Sequence, residues 1–151
     1  MNKEEVYAFL KEKSIPFEVT EVGLPHPECD AKNLFVRDDK KRNYYLITVK
    51  GDKRVDLKVF RRANGLRPLS FASADELADI LKLSPGAVTP LGLLNDAACA
   101  VSFFLDSALL DAPGIIGVHP NDNTATVWLE TDDMLDIIRE HGNNVTVTAV
   151  G

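Results

Sequence analysis

The sequence predicts an α+β domain, a mixed and largely antiparallel sheet with helices around it. Three observations carry that expectation: several capped segments place apolar residues at helical spacing, short β-branched and aromatic runs stand between them, and the two kinds do not alternate as regular βαβ units. At 151 residues, 45% of them hydrophobic and 26% charged, the chain has the size of one domain spanning 1–151 and an ordinary globular composition.

The elements follow in order. Val6, Phe9 and Leu10 fall at helical spacing behind Asn2, a capping residue with Glu5 three positions on, which predicts a helix over about 3–13. Phe17-Glu18-Val19-Thr20 alternates as a short strand, and Pro25-His26-Pro27 marks an irregular connection. Ala31 to Arg37 and Tyr44 to Val49, joined by the polar run Asp38 to Asn43, read as a hairpin in the sheet. Asp52 to Ala63 reads as a helix stopping at Asn64-Gly65, and Ser73 with Glu76 is a capping box ahead of Leu77, Ile80 and Leu81. Leu91 to Leu94, Ala100 to Leu105 and Ala125 to Leu129 read as strands, with the stretch from Asp111 to Asn123 as a connection. Thr131 is expected to cap a last helix bearing Met134, Leu135, Ile137 and Ile138 that ends at His141-Gly142, and Val145 to Thr148 is a final strand.

Composition narrows the function. Net charge is −6, against the basic excess of most duplex binders, yet residues 37–67 hold eleven basic side chains against four acids, a local +7 that leaves −13 elsewhere. Such asymmetry suits phosphate contact over a small footprint, although composition alone favours a solvated basic face. The charged N-terminal residues lack the apolar run of a signal or membrane span, so a cytoplasmic protein without membrane contact is expected. Cys29 and Cys99 form no C-x-x-C pair and read as free thiols, Cys29 in a loop and Cys99 in a strand or the core. With His26, His119 and His141 scattered, no metal and no cofactor are expected.

Three loops combine permissive backbone with polar groups. Lys32 and Asn33 begin an otherwise apolar strand; a lysine there can offer a fixed cation to a carbonyl or phosphate, while pattern alone favours a solvent-facing lysine at a strand edge. Ser84-Pro85-Gly86-Ala87-Val88-Thr89-Pro90 lets the backbone approach a ligand and offers N–H groups to a developing oxyanion, or simply connects helix to strand. The run from Gly117 to Thr126 is dense in small and hydrogen-bonding residues around His119, which is suited to orienting a hydroxyl or moving a proton, or is a loop histidine bonded to backbone. Asp106 ends a strand and reads as a cap before it reads as a ligand group. There is no G-x-S-x-G elbow, phosphate-binding glycine loop or H-E-x-x-H.

Six signatures in order, Ala31-Lys32-Asn33-Leu34-Phe35-Val36-Arg37-Asp38, Val55-Asp56-Leu57-Lys58, Leu69-Ser70-Phe71-Ala72-Ser73, Pro85-Gly86-Ala87-Val88-Thr89-Pro90, Asn95-Asp96 and His119 to Thr126, resemble the YbaK and prolyl-tRNA synthetase-associated editing domain family, nearest its freestanding alanyl-tRNA(Pro) deacylase branch. The resemblance implies a pocket that clears alanine misattached to proline tRNA. It implies catalytic roles for Lys32, Gly86 and His119 and substrate contact by Asn33, Ala87, Val88, Thr89, Pro90 and Asp106. Water, assisted by the ribose hydroxyl of the substrate, would be the nucleophile. Implied partners are the tRNA acceptor end and prolyl-tRNA synthetase, with no DNA. Relatives also carry a longer segment, with an E-H-P-like start and a helix, where Thr20-Glu21-Val22-Gly23 here runs almost directly into Leu24-Pro25-His26-Pro27.

Overall fold

Asn2 starts the first helix as its sequence requires: its side chain accepts the Glu5 N–H at 2.8 Å and Glu5 returns a bond to the Asn2 N–H at 3.0 Å. In the computed structural model, which describes residues 1–20, 30–51 and 53–150, this helix, α1, spans Lys3–Glu12 and buries Val6 and Leu10 completely. Strand β1 (Phe17–Thr20) follows, then the hairpin of β2 (Ala31–Asp38) and β3 (Tyr44–Lys50). The buried Asp38 carboxylate closes that hairpin by accepting the Arg42 N–H at 2.9 Å and the Asn43 amide at 2.8 Å. Next come α2 (Leu57–Ala63), β4 (Leu69–Phe71) and α3 (Ala74–Leu81), α3 opened by the Ser73 and Glu76 capping box. After two 3-10 turns the chain forms β5 (Val101–Asp106), β6 (Ile115–Val118), β7 (Thr126–Glu130), α4 (Thr131–His141) and β8 (Val145–Thr148).

The strands make two sheets. One is three-stranded and antiparallel, in the order β1-β7-β6; the other is five-stranded and mixed, in the order β4-β2-β3-β5-β8, with β5 parallel to both neighbours. A bridge from Asp30 to Gly117 joins the start of the hairpin to the smaller sheet. The five-stranded sheet is covered on both faces. Phe35, Leu46, Phe103 and Leu105 pack in the larger core with Leu10, Leu77, Leu81, Met134 and Ile138 of the helices and Ile116 and Val127 of the smaller sheet. Leu34, Val36, Ile47, Val49 and Phe104 pack on the opposite side with Phe60 of α2 and with Val150. Burial on both faces is why these strands read as unbroken apolar runs instead of alternating.

Several expectations change. Leu91 to Leu94 is no strand but part of a 3-10 turn, Pro90–Asn95; its leucines are apolar because the turn is buried, not because it pairs. The 52–63 helix is shorter: Asp56 caps it by accepting the N–H groups of Lys58 and Val59, so Lys53 to Val55 are not helical. Glu130, not Thr131, holds the cap position of α4, and the Thr131 hydroxyl instead donates to the Leu109 carbonyl at 2.7 Å. Strands β4 and β6 were unforeseen, the latter inside the stretch read as a connection. Cys99 is a free, partly exposed thiol in the turn before β5, outside both strand and core. Pro25-His26-Pro27, Cys29, Asp52 and the short segment ahead of Leu24 lie outside the described residues. Among the described residues no helix is long and apolar enough to cross a membrane.

Candidate active site

The two sheets meet at the start of β2, and there the three loops separate into walls and braces. Main-chain direction comes first. The Asp38 N–H donates to the Asn43 carbonyl at 3.0 Å and the Ala72 N–H to the Phe35 carbonyl at 3.0 Å, so even-numbered residues of β2 bond to β3 and odd-numbered ones face the β4 side. Strand β4 pairs only with Val36 to Asp38. Among the described residues nothing pairs with the first half of β2 on that side, and the N–H and C=O of Asn33 face it.

A cleft of about 310 Å³ lies along this edge, lined by Asn33, Leu34, Phe35, Phe71 to Ala74, Leu77, Pro85 and Val88. Its walls are apolar, and Asn33 brings a polar group. The Asn33 Oδ1 accepts the buried Thr48 hydroxyl at 2.6 Å across the hairpin, which turns the amide N–H groups away from Thr48. Asn33 also lines a second cavity, of about 20 Å³, with Asp30, Ala31, Gly117, Val118, His119 and Thr126. That is room for about one water molecule.

The His119 loop is braced from both sides. Its Nδ1 lies 3.0 Å from the Ala125 carbonyl, an acceptor only, so Nδ1 carries the proton and Nε2 of the neutral ring keeps its lone pair. The fully buried Thr89 donates its hydroxyl to the His119 carbonyl at 2.7 Å and accepts the Leu91 N–H at 3.3 Å, tying the proline-flanked loop to the histidine loop. Gly86 sits against Asn123, whose Nδ2 would lie 3.3 Å from a Cβ placed there. Ala87 and Pro90 are buried in the two 3-10 turns, and the Ala87 N–H is committed to the Ser84 carbonyl at 3.0 Å. Asp122 is held below the usual carboxylate range chiefly by the Thr124 hydroxyl, which donates to it at 2.5 Å.

Of the proposed site residues, Asn33, Val88 and His119 thus line the paired cavities, and Gly86, Ala87, Thr89 and Pro90 shape the loop behind them. Lys32 and Asp106 line neither. Lys32 lies opposite Val49 on the strand face of Leu34 and Val36, exposed and without a hydrogen-bond or ion-pair partner among the described residues. Asp106 is fully buried, accepts the Ala108 N–H at 3.2 Å as a cap, and pairs with Lys53 at 2.8 Å. Burial pushes its carboxyl up, and Lys53 with the N–H groups of Ala108 and Lys50 outweighs that, so it stays ionised below the usual range. Asn95-Asp96 is structural: Asn95 donates to the Leu81 carbonyl at 2.8 Å, and Asp96 accepts from Val101 and Asn143 at 2.9 and 3.0 Å.

Sequence reasoning left Thr48, Asn123 and Thr126 without roles. Thr48 is 15 residues from Asn33 and only strand register joins them. The basic stretch divides: Arg37, Lys53 and Arg67 are taken up by Glu76, Asp106 and Asp39, while Arg54, Lys58 and Arg62 have no ion-pair partner among the described residues. Among the described residues no group of three or more His, Cys, Asp or Glu side chains is placed to hold a metal ion.

Comparison with known proteins places the chain in a family. Residues 17–137 match the model of the aminoacyl-tRNA editing domain. The chain is 40% identical over 126 residues to the prolyl-tRNA editing protein ProX of Acetoanaerobium sticklandii, covering 83% of this chain and 76% of that one. It is 35% identical over 128 residues to the mouse prolyl-tRNA synthetase associated domain-containing protein 1, covering 80% of this chain and 75% of that one. A crystal structure described as that of a candidate trans-editing enzyme for prolyl-tRNA synthetase superimposes with a TM-score of 0.71 at 20% identity, over 99% of this chain and 97% of the other.

Proposed function

The chain belongs to the aminoacyl-tRNA editing domain family, and on that premise we propose that it is a freestanding deacylase that hydrolyses alanine from misacylated proline tRNA. The observation that carries the reading is the pair of cavities meeting at Asn33, one sized for a small acyl group and its ribose, the other for one water. A cleft of about 310 Å³ stands at the small end of ligand pockets, roughly 300–1,000 Å³, which favours a small amino acid.

In the proposed reaction the ester carbonyl rests against the Asn33 amide, and water from the small cavity attacks the carbonyl carbon. The neighbouring ribose hydroxyl assists, and Nε2 of His119 accepts or relays the proton. The carbon–oxygen bond to the ribose breaks and the ribose oxygen takes up a proton, leaving free alanine and tRNA. Gly86, between the cleft-lining Pro85 and Val88, is proposed to keep that loop close to the reacting ester; where a preorganised donor meets the developing oxyanion, it is worth ~3–4 kcal/mol of barrier. Lys32 remains in the proposal as an exposed cation, without an ion-pair partner among the described residues, on the strand face opposite the Asn33 amide, where it attracts the phosphates of the acceptor end. Asp106 supports the proposed site through the frame, not by contact.

Prolyl-tRNA synthetase is the proposed partner and the cytoplasm the proposed site of action. The test is a panel of tRNAs charged with alanine, cysteine, serine and proline. Fastest hydrolysis of the alanyl ester on proline tRNA is expected; equal rates on alanine and cysteine esters would defeat the narrow assignment. Binding without any deacylation would make the chain a holding module instead. Lys32→Ala is expected to lower kcat/KM by about tenfold, the worth of one exposed charge contact of ~1.4 kcal/mol, and undiminished deacylation would remove Lys32 from the site. Acceptor-end binding is expected to weaken with salt.

A further inference from the structure

Phe71 is the one aromatic among the large hydrophobic side chains that are exposed in the described residues, at 61%. Nothing in the core uses it. Its place is nevertheless fixed: it ends β4 opposite Val36, the next residue, Ala72, donates its N–H to the Phe35 carbonyl at 3.0 Å, and Ser73 then caps α3. It lines the same cleft as Asn33, which runs along the β2 edge: Phe71, paired opposite Val36, stands on the face of Leu34 and Val36, and the Asn33 side chain on the other, so the two lie on either side of that edge. An exposed aromatic on an ordered main chain at the edge of a cleft is suited to stacking a nucleobase, because every base offers a π-face and the backbone beneath the ring is already held in place.

We propose that Phe71 is the stacking platform for the terminal adenine of the substrate. This rests on the deacylase reading and deepens it: the ester is carried on the ribose of that nucleotide, so an aminoacyl group seated beside Asn33 leaves its own base at the outer end of the cleft. Stacking of one base on an aromatic ring accounts for about 5- to 150-fold in affinity. Phe71 is a binding residue in this role. It sets how the acceptor end is held and takes no part in bond breaking.

The experiment uses an alanyl minihelix with the proline acceptor stem and a matched one whose 3′-terminal nucleotide keeps its ribose but lacks its base. Phe71→Leu is expected to raise KM on the complete substrate at least fivefold with kcat within about twofold, and to leave KM on the abasic substrate unchanged. Phe71→Trp should restore the complete-substrate KM, which a merely apolar contact would not require. Equal KM values for the wild-type and Phe71→Leu enzymes on the complete substrate, or equal losses on both substrates, overturn the proposal. Should the wild-type protein hydrolyse neither ester, the deacylase reading fails by itself. The stacking claim is then read from binding of the uncharged minihelices: removal of the base must weaken wild-type binding and leave Phe71→Leu binding unchanged, and any other pattern sinks it.

Discussion

Replacing Thr89 with Val tests whether the proline-flanked loop holds the histidine loop in register. The side chain is fully buried, donates to the His119 carbonyl at 2.7 Å and accepts the Leu91 N–H at 3.3 Å. Valine keeps the shape and removes the hydroxyl. A carbonyl left without its donor costs about 1–3 kcal/mol, and the long cap bond adds roughly 0.5 kcal/mol at the low end of cap values. The sum is ~1.5–3.5 kcal/mol, which for a domain of this size lowers Tm by roughly 3–14 °C. The loss in activity should exceed what stability explains, because a displacement of about 1 Å at a reacting group costs up to ~100-fold. Thermal melts and steady-state deacylation at a temperature where both proteins are folded supply the two readouts, with Thr89→Ser as the control that keeps the hydroxyl. A Thr89→Val protein within about 1 °C of wild type in Tm, or folded with kcat/KM within about twofold of wild type, would refute the clamp.

Two further perturbations probe the frame. A Cβ at Gly117 would lie 2.7 and 2.8 Å from ring atoms of Trp128, itself 2% exposed and paired opposite it, so Gly117→Ala must displace a buried ring. A loss of about 2–3 kcal/mol is expected by denaturant titration, the upper part of the overpacking range, with near-UV circular dichroism reporting the tryptophan. Glu76 accepts the Tyr44 hydroxyl at 2.5 Å, bonds Ser73 and faces Arg37, which together hold its carboxyl down to about 2. A depressed carboxyl contributes stability above its unfolded value and loses it as pH falls, so wild-type stability should drop between about pH 4.5 and 2. Glu76→Gln should cost ~1–2 kcal/mol at pH 7, discounted for a side chain 21% exposed, and the two stability curves should converge near pH 2; parallel curves would show that Glu76 is not the titrating group.

The local signals in the chain were readable wherever a residue acts on its immediate neighbours. Asn2 with Glu5, and Ser73 with Glu76, are complete capping boxes in sequence and in structure. The β2–β3 hairpin follows its predicted arms to within a residue. What failed depended on packing. Leu91 to Leu94 is buried in a 3-10 turn, and a short buried apolar run has no period that separates strand from turn. Ile115–Val118 pairs with β7 despite a glycine in its middle, because Gly117 makes room for the Trp128 ring. The site divides the same way. Asn33, His119 and the Gly86 to Pro90 loop stand out by composition, but pattern alone assigns them structural roles, and only the family resemblance makes them site candidates. The Thr48 hydroxyl that orients Asn33, and the Lys53 that occupies Asp106, are set by contacts 15 and 53 residues apart in sequence, beyond the reach of any local pattern.

Lys32 and Asn33 are adjacent in sequence yet project to opposite faces of the sheet, Asn33 lining the cleft and Lys32 standing exposed on the face of Leu34 and Val36. Parity along β2 therefore encodes which chemistry the cleft receives, and the Asp38 knot at the hairpin turn fixes that parity. A one-residue deletion between Asn33 and Asp38 would deliver the cation to the inner face and turn the amide out, while composition and charge stayed nearly the same. The run is length-locked: it tolerates exchange of one apolar residue for another far better than any change in the number of residues.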